Sequence, residues 1–150
     1  MIQLSQILSA EQTYMESFGA SKKRILQTIA ERLSSTLDGV SELDLFDQLI
    51  ARERLGSTGI GSGFAVPHCR LEGLTSPVAA LIKIPEAVDF DSIDKQQVDL
   101  IFALVVPVEA TDDHLQLLAS VVEQVSNPEA LANIKSSQTP LDLYNHFIGN

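Results

Sequence analysis

Residues 52–72 of the chain read RERLGSTGIGSGFAVPHCRLE, and this stretch decides how the rest of the sequence is interpreted. Four of the protein's eight glycines fall within it, at positions 56, 59, 61 and 63. Glycine at this density lets the backbone turn through positive φ angles and lets a ligand approach bare N–H groups. Residues 64–66 predict a short strand, which Pro67 ends because proline has no N–H to donate to a neighbouring strand. His68 is therefore expected at the mouth of a glycine-lined hollow.

The same stretch contains the chemical groups that suit a phosphoryl group. The candidate donors are a guanidinium, two hydroxyls and two bare backbone amides, from Arg52, Ser57, Thr58, Gly59 and Gly61. His68 adds a nucleophile that is competent near neutral pH, because the ordinary pKa of imidazole is about 6.5. Phosphoryl transfer is mostly a matter of positioning and of donors to the equatorial oxygens. These side chains could supply such donors with no metal and no cofactor.

Several of these residues also have plainer explanations. Arg52 falls in the last turn of a predicted helix, where a cation suits the helix dipole whatever else it does. Cys69 beside His68 could indicate a thiol catalyst. Adjacent strand residues point to opposite faces, however, so His68 cannot easily serve Cys69 as a base. The same geometry counts against a zinc site from Cys69, His68 and His114, and the sequence has no C-x-x-C or H-x-x-x-H spacing.

The stretch resembles the phosphorylation site of the enzyme IIA proteins of the bacterial phosphotransferase system, fructose/mannitol/nitrogen class. It is most similar to the nitrogen-regulatory branch, whose pattern is roughly R-E-x-x-G-S-T-G-I-G-x-G-[IF]-A-[VI]-P-H. In that family the histidine after the proline takes a phosphoryl group from an HPr-like carrier. The resemblance implies that His68 is the phosphorylated residue, as a tele-phosphohistidine. It departs from the family at Cys69, where many members carry glycine.

The resemblance extends over most of the chain and includes His114. It continues through residues 88–91, 98–100 and 104–107, which precede a helix that His114 helps to open. In the family a histidine at this place lies beside the active one and helps to hold the phosphoryl group. On the same helix face as Leu118, His114 could point at the strand ends, where ligands gather in open α/β sheets. The alternative is an ordinary polar residue of a first helical turn.

Composition bounds the class of protein. The chain has 150 residues, a formal net charge of −10 and 45% hydrophobic residues, which predict a single domain over residues 1–150. An acidic surface repels phosphate backbones, so nucleic-acid binding is not expected. No apolar run approaches the roughly 20 residues of a membrane-spanning helix, and the N-terminus has no signal-peptide pattern. We expect a cytoplasmic protein without membrane insertion.

Helical and strand patterns alternate along the chain. Helices are expected after Ser21, with an end at Asp38-Gly39, and after Ser41. A third is expected after residues 111–113, with a stripe of Leu115, Leu118, Val122 and Val125. Two short helices are expected at Asn127-Pro128 and Thr139-Pro140. Continuous apolar runs at 77–84 and 98–106 predict central strands, and residues 13–18 could form an edge strand. The prediction is an α/β fold with a mixed central sheet sandwiched between helical layers, which is the enzyme IIA fold that the resemblance implies.

The functional expectation follows from the resemblance. It implies a nitrogen-type enzyme IIA, a phosphocarrier rather than a turnover enzyme on a small molecule, charged on His68 by an HPr-like protein. In the family, phosphorylation changes partner binding, and potassium-transport and sensor proteins are among the targets. Two alternatives stay open: a sugar-specific enzyme IIA that passes phosphate to a IIB domain, and a non-catalytic interaction domain.

Overall fold

The computed structural model of the chain describes residues 3–149, apart from the side chain of Leu115. The helices are α1 (Lys22–Ser34), α2 (Glu42–Leu55), α3 (Asp113–Val125), α4 (Pro128–Lys135) and α5 (Pro140–Ile148). The strands are β1 (Thr13–Tyr14), β2 (Gly59–Gly61), β3 (Phe64–Ala65), β4 (His68–Leu71), β5 (Val78–Val88) and β6 (Val98–Pro107). Two single 3-10 turns, Leu4–Gln6 and Ala10–Gln12, precede β1.

The strands form one mixed sheet with β5 and β6 at its centre. These two long strands are antiparallel, while β1 adds to β5 in parallel and β3 and β4 add to β6 in parallel. Phe64 pairs with Leu100 and His68 pairs with Leu104, so β3 and β4 keep one stagger along β6. They behave as a single strand that is interrupted at residues 66 and 67. The predicted mixed sheet is confirmed.

Helices cover both faces of this sheet, as predicted. Side chains of β5 and β6 alternate between the faces, because successive strand residues point in opposite directions. One core lies under α1 and α2 and includes Ile25, Leu26, Ile29, Leu45, Leu49, Ile82, Ile101 and Val105. The other lies under α3, α4 and α5 and includes Phe64, Leu81, Leu100, Phe102, Leu104, Val121, Leu143 and Phe147. Both cores are fully buried, which makes the sheet a rigid floor for the ends of α2 and α3.

Four of the five predicted helix starts are confirmed by their caps, whereas α3 starts at Asp113 without a side-chain cap. The side chains of Ser21, Ser41, Asn127 and Thr139 each accept a hydrogen bond from a backbone N–H in the first turn of the helix that follows. Such caps satisfy donors that no helical carbonyl can reach. The end of α1 was predicted too late. This helix ends at Ser34, because the hydroxyls of Ser35 and Thr36 bond to nearby carbonyls and compete with the helical pattern.

Two other expectations need correction. The predicted edge strand over residues 13–18 is confined to Thr13–Tyr14. In α3 the buried side chains include Leu117 and Val121, whereas Val122 is only partly buried. Leu115, which belonged to the predicted stripe, has a side chain outside the described part of the structure. The helix therefore turns toward the sheet on a slightly different face from the one expected.

Candidate functional site

A pocket of about 500 Å³ opens between α2 and α3, across the strand β4. Its lining comes from α2 (Gln48, Ala51, Arg52, Leu55), β4 (His68, Cys69, Arg70), β6 (Leu104, Val106) and α3 (His114, Leu118). The floor is apolar, and the charged and polar side chains come from the elements around it. The structure thus brings together Arg52, His68 and His114, which lie far apart in the sequence.

His68 is the first residue of β4, and its ring is held by the backbone two residues earlier. The Nδ1 atom lies 2.8 Å from the carbonyl oxygen of Val66. A carbonyl can only accept a hydrogen bond, so Nδ1 carries the proton in the neutral ring and Nε2 carries the free electron pair. Burial lowers the pKa of His68 below its ordinary value, although the bond to Val66 opposes this, and the positive charge of Arg52 acts in the same direction as burial. A neutral imidazole with a free Nε2 is a nucleophile.

The break between β3 and β4 creates this arrangement. Val66 donates its N–H to the carbonyl of Thr58, at 2.9 Å, and therefore stays tied to the preceding loop. Pro67 has no N–H, while its carbonyl accepts the N–H of Leu104 at 3.0 Å and keeps the chain in register with β6. The Val66 carbonyl is thereby turned toward the ring of His68.

Arg52 lies in the last turn of α2, where it serves the helix end and faces the pocket. Its Nη1 donates to the carbonyl of Gly56 at 2.9 Å, which is the helix-terminal contact that the sequence also allowed. Arg70, from the exposed side of β4, donates to the carbonyls of Val108 and Ala110 at 3.1 and 2.8 Å. Among the described residues, neither guanidinium is paired with a carboxylate. Two uncompensated positive charges therefore line a pocket in a protein whose formal net charge is −10.

His114 occupies the first turn of α3, on the opposite side of the pocket from α2. Its Nδ1 atom is buried and has no hydrogen-bond partner within the described structure. A buried polar atom without a partner costs about 1–3 kcal/mol. The ring of His114 also lines the pocket, so a group bound there can contact it.

The hydroxyl residues predicted to bind the phosphoryl group lie outside the pocket. We call residues 57–65, which include β2 and β3, the glycine hairpin. Ser57 donates its hydroxyl to the carbonyl of Phe90. Thr58 donates both its N–H and its hydroxyl to the carboxylate of Glu53, at 2.9 and 2.7 Å. In this conformation both hydroxyls are occupied, so their predicted contact with a phosphoryl group would require the hairpin to open.

The glycines of the hairpin allow close packing. Gly59 and Gly61 both lie in β2, which pairs with β3, and neither lines the pocket. A Cβ atom on Gly59 would lie 2.2 Å from the hydroxyl oxygen of Ser92, and Gly61 has a φ of +107°, which side chains rarely adopt. These two positions need glycine to fold the hairpin against the loop between β5 and β6. Their predicted role in binding phosphate would also require a rearrangement.

Glu53 is the polar residue of this region that the sequence reasoning overlooked. Only 7% of it is exposed, and Lys22 lies 3.3 Å from its carboxylate. The available signal was its position, because Glu53 continues the buried stripe of Leu45 and Leu49 at a spacing of four residues. A carboxylate on the apolar side of a helix is rarely buried unless it is paired.

Cys69 has the environment of a packing residue. Its side chain is buried, and burial raises the pKa of the thiol to about 12. A thiol that stays protonated near neutral pH is a poor nucleophile. Within residues 3–149, the described side chains of His, Cys, Asp and Glu form no group of three that could hold a metal ion. In the same part of the chain, no helix has the length and apolar character needed to cross a membrane.

Comparison with known proteins gives the same family throughout. A family model described as "Phosphoenolpyruvate-dependent sugar phosphotransferase system, EIIA 2" matches residues 6–149. The nitrogen regulatory protein of Pseudomonas aeruginosa is 41% identical over 144 residues, which are 96% of this chain and 94% of the relative. The nitrogen regulatory protein of Escherichia coli K12 is 36% identical over 144 residues, which are 95% and 88% of the two chains.

Solved structures share the fold. The crystal structure of the nitrogen regulatory protein IIA-Ntr from Neisseria meningitidis has a TM-score of 0.89 and 32% identity, with 95% of this chain and 97% of that chain covered. The IIA mannitol protein of Escherichia coli has a TM-score of 0.75 at 18% identity, with coverage of 93% and 97%, and so shares the fold alone. Together with the pocket around His68, these findings show that the chain belongs to the EIIA 2 family of the phosphoenolpyruvate-dependent sugar phosphotransferase system and that its relatives include the nitrogen regulatory proteins.

Proposed function

We propose that this protein is a nitrogen-type enzyme IIA that accepts a phosphoryl group on Nε2 of His68 from a phosphorylated HPr-like carrier. One observation carries the proposal: a neutral histidine with a free Nε2 faces a pocket in which two guanidinium groups have no carboxylate partner within residues 3–149. Positive charge and hydrogen-bond donors around a free nucleophile are what a transferring phosphoryl group requires.

The transfer exchanges one N–P bond for another. The electron pair of Nε2 forms the new bond to phosphorus, while the electron pair of the old bond returns to the carrier's phosphohistidine nitrogen. No net proton is consumed, because the proton on Nδ1 of His68 stays on that nitrogen, hydrogen-bonded to the Val66 carbonyl. The protein's task is therefore to orient His68 and to balance the charge of the phosphoryl oxygens.

Three side chains would hold those oxygens. Arg52 and Arg70 supply charged N–H donors, and the ring of His114, which also lines the pocket, supplies a further N–H. Leu104 and Leu118 form part of the floor and limit access of water. In such surroundings, interactions between charges are stronger than in bulk water.

Phosphorylation would also change the surface that partners meet. Leu55, at the pocket, is 85% exposed, and Val108, beside Arg70, is also exposed. A phosphoryl group adds about −1.5 to −2 charges at neutral pH. The phosphoryl charge would cancel most or all of the positive charge of Arg52 and Arg70 beneath an apolar rim, which alters the proteins that can dock there. The regulatory targets that the resemblance implies, potassium-transport and sensor proteins, belong to this part of the proposal, as does the cytoplasmic location of this chain.

The test of the carrier function is the mass of the intact protein after incubation with phosphoenolpyruvate, enzyme I and an HPr-like carrier. We expect one acid-labile phosphoryl adduct that is absent from His68→Ala. The exposed His146 lies outside the pocket, so His146→Ala is the matched control and should keep the adduct. A well-folded protein that gains no adduct would contradict the proposal and favour the non-catalytic interaction domain.

The regulatory part needs a separate test. Partner proteins captured by His68→Ala and by His68→Asp, which places a negative charge in the pocket, should differ. Identical sets would contradict regulation by phosphorylation state. The sugar-specific alternative predicts instead that the phosphorylated protein passes its phosphoryl group to a purified sugar IIB domain.

A further inference from the structure

We infer that Glu53 is a positioning residue for His68, which acts through Thr58 and Val66 and does not touch the phosphoryl group. This inference rests on the proposed carrier function, because it explains how the acceptor nitrogen of His68 is kept free. Glu53 lies fifteen positions before His68 in the sequence and is absent from the lining of the pocket. Burial lowers the pKa of His68 and the negative charge of Glu53 opposes this through space, whereas the influence of Glu53 on the tautomer must travel through the residues between them.

A continuous series of hydrogen bonds connects the two residues. The carboxylate of Glu53 accepts the N–H and the hydroxyl of Thr58, at 2.9 and 2.7 Å. The carbonyl of Thr58 accepts the N–H of Val66 at 2.9 Å. The carbonyl of Val66 then accepts a hydrogen bond from Nδ1 of His68 at 2.8 Å. Each bond has ordinary length, and each fixes the peptide unit that makes the next one.

The burial of Glu53 explains why its carboxylate holds Thr58 firmly. An ionised carboxylate that leaves water must be paired and hydrogen-bonded, because an uncompensated buried charge is strongly destabilising. Lys22 supplies one partner at 3.3 Å, and both donors of Thr58 supply the others. The charge therefore holds Thr58 in one orientation, with its carbonyl toward Val66. Lys22 also bonds to Asp91 at 3.0 Å, which ties the series to the loop after β5.

The chemical consequence lies in the tautomer of His68. With the Val66 carbonyl in place, the proton stays on Nδ1 and Nε2 can attack phosphorus. If Val66 shifts, the neutral ring can carry its proton on Nε2 instead. That nitrogen then has no free electron pair, and the ring presents the wrong atom to the carrier. Loss of Glu53 should thus reduce the population that can accept a phosphoryl group.

The test compares Glu53→Gln with Glu72→Gln, which alters an exposed acid in the turn after β4. Long-range proton–nitrogen NMR spectra of His68 report the tautomer directly, with no need for phosphoryl transfer. We expect the wild-type protein and Glu72→Gln to show the Nδ1–H tautomer. Glu53→Gln should show a mixture, and its phosphorylation rate should fall about tenfold or more, as for other residues that orient a reacting histidine.

The inference would be overturned if Glu53→Gln kept both the wild-type tautomer and the wild-type phosphorylation rate. It would also be overturned if the wild-type protein itself carried the proton on Nε2. Should Glu53→Gln fail to fold, Thr58→Val removes only the hydroxyl bond to Glu53, and an unchanged tautomer in that variant would count against the series. The two proposals can also fail separately. If the wild-type protein takes no phosphoryl group while Glu53→Gln loses the Nδ1–H tautomer, the carrier function is refuted and the positioning role is supported.

Discussion

The pocket and the glycine hairpin adjoin each other in the chain but use their polar groups in opposite ways. In the hairpin, Ser57 is bonded to Phe90 and Thr58 to Glu53, so these groups are satisfied within the protein. Among the residues that the structure describes, nothing in the pocket bonds to Nδ1 of His114 or to Nε2 of His68. The hairpin is organised for folding, whereas the pocket is left incomplete.

This difference gives a criterion for locating the site. Dense glycine and hydroxyl side chains identify a segment that folds tightly, but they do not identify which groups remain available to a ligand. Availability depends on burial and on partners, because a donor that is already bonded gains little from a second acceptor. Ser92, beside the hairpin, also has a buried oxygen without a hydrogen-bond partner among the described residues, so one unused group does not make a site. The pocket differs because polar side chains from α2, β4 and α3 converge there on one volume.

The largest expected effect tests the charge of the pocket. Arg52→Met should lower the phosphorylation rate about a hundredfold, in line with the loss of one donor to a developing charge. The matched control is Arg54→Met, which removes an exposed cation from the same helix end but outside the pocket. Initial rates with a phosphorylated HPr-like carrier measure the effect. Equal rates in the two variants would remove Arg52 from the site.

The second prediction tests the packing of the hairpin. Gly59→Ala should lower the free energy of unfolding by about 1–3 kcal/mol, because the new methyl group overlaps the buried Ser92. Gly56→Ala is the control, since Gly56 has an extended φ of 163° and no atom within 4 Å of the added group. Its unfolding free energy should change by less than about 0.5 kcal/mol.

Urea denaturation of both variants gives these values, and phosphorylation of the folded fraction separates packing from chemistry. If Gly59 serves only the hairpin fold, the folded fraction of Gly59→Ala should be phosphorylated at the wild-type rate. A slower rate at full folding would show that Gly59 serves more than packing, either by contact with the phosphoryl group, as the sequence alone suggested, or through the neighbouring Thr58, and the tautomer of His68 would distinguish the two.

The third prediction concerns pH. Because burial and Arg52 lower the pKa of His68, the neutral ring persists to lower pH than in the unfolded chain, where the pKa is about 6.5. The phosphorylation rate should therefore stay level through neutral pH and fall only at a pH below about 6.5. The unfolded chain binds a proton more readily here, so this group also lowers stability as the pH falls below about 6.5.

NMR titration of His68 provides the measurement. Arg52→Met removes a positive charge near the ring, so the pKa of His68 should move up toward its ordinary value. A wild-type pKa at or above about 6.5 would contradict the buried, neutral histidine.

The smallest functional effect is expected at Cys69. Cys69→Gly should leave phosphorylation unchanged, because burial keeps the thiol protonated and packs it in the core under α1 and α2. Stability should fall by about 1 kcal/mol, since glycine weakens a strand interior. Thermal unfolding and the mass of the phosphorylated protein check both statements. A folded variant that no longer gains a phosphoryl group would assign the thiol a role in the reaction.

The elements of the fold were largely predictable because their signals are local. Ser21, Ser41 and Asn127 precede apolar periodicity, and each forms the cap that its position predicts. The end of α1 was missed because three consecutive hydroxyl residues give the backbone other bonding partners. The family resemblance indicated His68, Arg52 and His114, and the structure brings these three together.

Which neighbouring polar groups are bonded within the protein and which stay available to a ligand was not predictable, because this depends on contacts between distant segments. Thr58 is not available to a ligand because its hydroxyl is bonded to Glu53. Glu53 can make this bond because it lies on the buried face of α2. Arg70 shows the same dependence. Its role in holding the loop before α3 requires that Val108 and Ala110 lie beside β4, which only the parallel pairing of β4 with β6 brings about.

The convergence of α2, β4 and α3 on one pocket has a consequence for quality control. Positions 52, 68 and 114 meet only after the central sheet has formed and both helical layers have docked on it. A chain in which the sheet or either helical layer has not formed does not bring the three side chains together, and under the proposed function we expect the carrier to charge it poorly. Fully folded copies would then carry most of the phosphoryl groups. Partner proteins would therefore meet misfolded copies mainly in the unphosphorylated form.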